Sequence, residues 1–197
     1  MAKIATGVVD NVDEVGGEGR LLPGFYHMVC TDVQEEAGKN GEHLFDFEIL
    51  AGTVPSMQGR KYRLTIANEM KKWPVRKLLA FTFATGLNTP ERQKAAEKAG
   101  EDPDIDLTAG ISKQVVMELE ESEYNEKVRT QLAWDNIYAV TDKRVAHVPL
   151  NKAWIEKAGI KLPEGRPVEG ASKQRELERK PKASRESVAA AVDDLDI

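Results

Sequence analysis

Cysteine is all but missing: Cys30 stands alone in 197 residues. An internal disulfide framework is excluded, and a reducing cytosol is the simplest compartment. Cys30 lies in a strand-like apolar run, where a small buried hydrophobe is its expected role. No apolar run approaches the ~18 residues of a membrane helix, so no span and no membrane partner are expected. The opening MAKIATGVVDNVDE turns acidic without an apolar segment, and no leader is expected. His27, His43 and His147 show no metal-ligand spacing, and Cys30 has no CxxC partner. Walker, GxGxxG, GxSxG and HExxH patterns are absent. Asp102, Asp104 and Asp106 alternate but lack the glycine and distal glutamate of a calcium loop. Glu118, Glu120, Glu121 and Glu123 suit the polar face of a strand end. Nothing here assembles nucleophilic, acid–base or metal chemistry, so neither an enzyme nor a cofactor nor a metal is expected.

The formal net charge is −5, which argues against attraction of the whole surface to polyanions. One stretch runs against this background. GRKYRLTIANEMKKWPVRK, residues 59–77, holds Arg60, Lys61, Arg63, Lys71, Lys72, Arg76 and Lys77 with Glu69 as its one acid. Tyr62 and Trp73 sit among the cations. Single-stranded nucleic acid asks for this mixture, cations for phosphates and π-faces for bases. A basic run is also, commonly, a solvated face, and an aromatic in a strand is commonly core.

Along the chain, residues 1–21 are Gly- and acid-rich and are expected to form a flexible arm. Leu22-Pro23-Gly24 marks a turn. Strands are expected over Phe25–Val33, Leu44–Leu50 and Arg60–Ala67, the first apolar on both faces, the third alternating cleanly. Pro74 opens a helix that Gly86 ends; Thr89, Pro90 and Gly100 bracket another. Strands return over Gln114–Glu120 and Val128–Val140, joined by a hairpin at Ser122–Lys127. Asn151 caps a short helix closed by Gly159. The order predicts an all-β core with a helical insertion: a five-stranded OB-fold-like barrel over 22–160, with helices between the third and fourth strands. Residues 161–197 read as a disordered tether that ends in an acidic tip, VAAAVDDLDI.

In such a barrel, ligands lie across the second and third strands and between two hairpin loops. Lys39, Arg60, Lys61, Arg63, Lys127 and Arg129 fall at those places. Tyr124, at a hairpin tip, and Trp73, with Lys71 and Lys72 ahead of the helix, are candidate base-stacking positions. Tyr62 shares its face with Leu64 and Ile66, which favours core over a base contact. Trp134 shares its face with Leu132, and core is again favoured. Asp193, Asp194, Leu195, Asp196 and Ile197 form a short acidic-apolar peptide suited to basic grooves on other proteins.

Leu22 to Tyr26, the Lys39-Asn40-Gly41 hairpin, Phe47 to Leu50, Gly59 to Lys61, Leu107 to Gly110 and Tyr124-Asn125 together resemble a phage family of single-stranded-DNA-binding, OB-like proteins from replication and recombination modules. The resemblance spans about residues 9–140, with Pro-Gly-Phe-Tyr where a spacer residue is usual. It implies a DNA-coating protein in the cytoplasm of a bacterial host, little sequence preference, replication and recombination partners recruited through the tip, and possible homo-oligomers. The tip is similar to those of single-stranded-DNA-binding proteins, which usually end in an aromatic where this chain has Ile197. A protein-interaction module without DNA affinity, such as a recombination mediator or an inhibitor of a host enzyme, is the alternative.

Overall fold

A computed structural model describes residues 20–68, 72–101, 103–124, 126–163 and 165–169. Strands β1 (Gly24–Gln34), β2 (His43–Gly52) and β3 (Lys61–Ile66) are followed by helices α1 (Lys72–Thr85) and α2 (Pro90–Ala99). Strands β4 (Gln114–Tyr124) and β5 (Lys127–Ala139) come next, then β6 (Leu150–Asn151), α3 (Lys152–Lys157) and β7 (Val168–Glu169). The three-strand, two-helix, two-strand order is the one expected. The five long strands form one antiparallel sheet in the order β3-β2-β1-β4-β5.

Local chemistry explains the element ends. The Thr89 hydroxyl accepts the Arg92 N–H at the start of α2, and Gly100 ends that helix at φ 72°. Only glycine adopts that conformation without a Cβ penalty. Asn151 caps α3 by accepting the Trp154 N–H. On β3, period-2 alternation sends Tyr62, Leu64 and Ile66 inward and leaves Lys61, Arg63 and Thr65 exposed. The inward set joins Tyr26, Met28, Phe45, Phe47, Met117, Leu119 and Leu132 in the main core. α1 closes one side of it: the Phe81 ring lies 4.8 Å from that of Phe45 and 6.0 Å from that of Phe47.

The sheet is not closed by strand pairing, and β3 and β5 are its edges, so the expected barrel is not shown. Among the described residues no backbone ladder joins them. A side chain does: the buried Tyr62 hydroxyl accepts the Leu132 N–H at 2.9 Å. Tyr62→Phe would strand that amide in the core. We expect a loss of about 1–2 kcal/mol in urea unfolding; unchanged stability would show the bond to be unimportant.

The both-face burial of β1 has another cause than closure. Residues 140–162 fold back over the outer face, where Val116, Val140, Val145, Val148, Leu150 and Ile155 form a second core. His27, on that face, is fully buried. Its Nδ1 accepts the Asn151 N–H at 3.0 Å, and its Nε2 lies 2.9 Å from Gln114 Oε1. Gln114 Nε2 in turn donates to the Trp154 carbonyl. Within the stretch expected to form a tether from 161, residues 161–163 and 165–169 are described. Arg166 is buried and donates to the Val145 carbonyl, and β7 pairs with β6 in parallel.

Candidate nucleic-acid interface

Strand β5 carries the feature that reshapes the site. Met117 pairs with Ile137 and Leu119 with Leu132, so Glu118 stands opposite the four residues 133–136. This bulge turns Trp134 outward at φ 55°, where it is 61% exposed. A left-handed conformation costs a bulky residue ~1–2 kcal/mol, and the exposed ring recovers little burial in exchange. The expectation that Trp134 is core is therefore corrected. Strict alternation failed because the bulge changes parity: Leu132 and Ile137 both point inward although an odd number of steps separates them. That odd spacing is visible in the sequence and could have signalled the bulge.

Trp134 meets Trp73, which α1 projects from its first turn at 45% exposure. The ring centroids are 5.1 Å apart and tilted by 57°. The Arg76 guanidinium lies 5.3 Å from the Trp73 centroid and binds Asp135 at 2.8 Å. Two exposed indoles and a guanidinium thus share one surface patch. The Tyr62–Leu132 bond sets Leu132, two residues before Trp134, against β3.

Charge is more balanced than expected. Arg63 makes a two-pronged contact with Asp46 at 2.6 and 2.7 Å, and that contact holds the Asp46 carboxyl below the usual carboxylate range. Glu48 is the cross-strand neighbour of Lys61. Arg60 is half-buried at the start of β3. Lys39 is exposed in the β1–β2 hairpin, beyond the Gln34 end of β1. Lys127 and Arg129 are exposed in the β4–β5 hairpin, which projects past the opposite, Gly24 end. There Arg20 pairs with Glu121, and the Thr130 hydroxyl donates to the Leu21 carbonyl. The two hairpins therefore bracket the sheet from opposite ends.

Tyr62 is corrected as a base contact: it is 9% exposed and engaged by Leu132. Burial pushes its hydroxyl up to about 12. Lys71, the Lys72 and Tyr124 side chains, and residues 193–197 lie outside what the structure describes. Among the described residues, no cluster of His, Cys, Asp or Glu could hold a metal ion, and no helix is long and apolar enough to cross a membrane. Compared with known proteins, the chain matches no family model and no curated sequence.

Proposed function

We propose that this chain binds single-stranded DNA with little sequence preference, as the phage proteins it resembles are expected to do during replication and recombination. The observation that carries the reading is the exposed Trp73–Trp134 pair. A tryptophan held in a costly backbone conformation, outside the core and against a second exposed indole, makes little sense as packing. Flat rings beside cations are what bases and phosphates require, and stacking contributes ~1–3 kcal/mol per base. The strand order β3-β2-β1-β4-β5, with helices between β3 and β4, supports an OB-like arrangement in which the Tyr62–Leu132 contact stands where closure would occur. Lys39, Lys127 and Arg129 supply phosphate contacts, and the acidic tip recruits partner enzymes.

Because several arginines already hold aspartates, the electrostatic share of binding is modest. With about three phosphate contacts, log affinity should fall with log salt at a slope near −2. Titration of an unstructured oligothymidylate at several salt concentrations measures it. Failure of micromolar protein to bind the oligonucleotide at low salt would end the reading. It would favour the protein-interaction alternative, for which paired tryptophans beside an arginine also have hot-spot composition.

A further inference from the structure

Next to the tryptophan pair, α1 and β5 enclose a cleft of about 510 Å³. Its floor is apolar, with Leu79, Phe83 and Ile137 among its lining, and it ends in two similar devices. At one wall, Arg76 lies over Trp73 and is held by Asp135. At another, the Arg144 guanidinium lies 4.7 Å from the Tyr138 centroid and is held by Asp142 at 2.7 Å. The Arg144 side chain is 72% exposed. The guanidinium is thus held by the Tyr138 ring and the Asp142 carboxylate while most of the side chain stays open to solvent. A fixed guanidinium plane is a platform on which a base stacks. From Arg76 to Ala84 the cleft runs ~12 Å along the helix, room for about two or three nucleotides of a strand that stacks at ~3.4 Å spacing or somewhat looser.

The sheet face usual for this architecture offers less. On β2 and β3 the outward cations oppose Asp46 and Glu48, and β3's one aromatic, Tyr62, is buried. We infer that the bound single strand leaves the Trp73–Trp134 pair along the α1–β5 cleft, with a second base stacked on the Arg144–Tyr138 platform, rather than across β2 and β3. The inference rests on the proposed DNA binding and adds the path of the strand.

Arg144→Glu and Lys61→Glu apply the same charge change to the two exposed surfaces, so long-range electrostatics is matched. Affinity for oligothymidylate is read by fluorescence polarisation, with thermal melts confirming that both variants fold. Arg144→Glu should weaken binding about tenfold or more, and Lys61→Glu less than about threefold. Arg144→Lys keeps the charge but loses the planar face, and should still weaken binding about fivefold. Equal losses at both surfaces, a larger loss at Lys61, or full affinity in Arg144→Lys overturns the path while leaving DNA binding standing. A wild-type protein that binds no oligonucleotide overturns both.

Discussion

Replacing Trp134 by glycine and Trp73 by alanine should lower affinity for single-stranded DNA about a hundredfold while leaving the fold intact. Loss of two stacking rings at ~1–3 kcal/mol each sets the size of the effect. Stability should respond in a different way. Trp134 holds φ 55° in the bulge, a conformation glycine adopts freely. Trp134→Gly alone therefore relieves ~1–2 kcal/mol of backbone strain. It also gives up the contact with Trp73, an aromatic pair of ~0.5–1.5 kcal/mol. The sum lies near zero, so the melting temperature should shift by no more than a few degrees. A core tryptophan of comparable size would cost ~3–5 kcal/mol on truncation. Paired binding and melting measurements on the two single variants separate these cases. Lost stability with retained affinity would mean that the tryptophans are structural and that the proposed site is wrong.

Acid should loosen the C-terminal cap through His27. Asn151 donates a backbone N–H to Nδ1, so the native ring is neutral and carries its proton on Nε2. Burial lowers its pKa from 6.5 to about 4; the Gln114 hydrogen bond opposes that shift and the Arg166 charge adds to it. Between those two values the unfolded chain binds a proton that the native chain refuses. Stability is then full above about pH 6.5 and falls as pH drops toward about 4, by ~3 kcal/mol in all. Asp46 and Asp142, whose native pKa values are depressed below 3.8, respond to acid in a lower window. Their contributions persist to about pH 4 and fade only below it. Urea unfolding at pH 7, 5.5 and 4 should thus show a loss that disappears in His27→Gln. A flat profile from pH 7 to 5, or the same slope in the variant, would remove His27 from the account. Hydrogen exchange should locate the early opening in residues 140–169, because the imidazole bonds that segment to β1.

Strand and helix order was legible because its signals are local. Clean alternation at Tyr62, Leu64 and Ile66 marks β3, and Thr89, Pro90 and Gly100 bracket α2; each depends on neighbours only a few residues away. The candidate interface was half legible. Trp73 stood out as an aromatic among cations, and the structure leaves it exposed. Trp134 was misjudged, whereas Tyr62 fell in the core that its inward neighbours Leu64 and Ile66 favoured. The bulge reversed the facing of Trp134, and the inward turn of β3 kept Tyr62 for the core, with its hydroxyl reaching β5. Periodicity assumes an unbroken strand and cannot tell which inward ring will span two edges.

Composition and short-range pattern were enough to set the class of fold, the helical insertion and the stretch in which cations and rings concentrate. Three matters were left to the packed chain: the open sheet joined at its edges through Tyr62, the second core that buries His27, and the pairing of Arg63 and Arg76 with aspartates. Those pairings bring together residues 17 positions apart for Asp46–Arg63 and 59 apart for Arg76–Asp135. Charge counted along a sequence is blind to such neighbours, since an ion pair depends on distance in space.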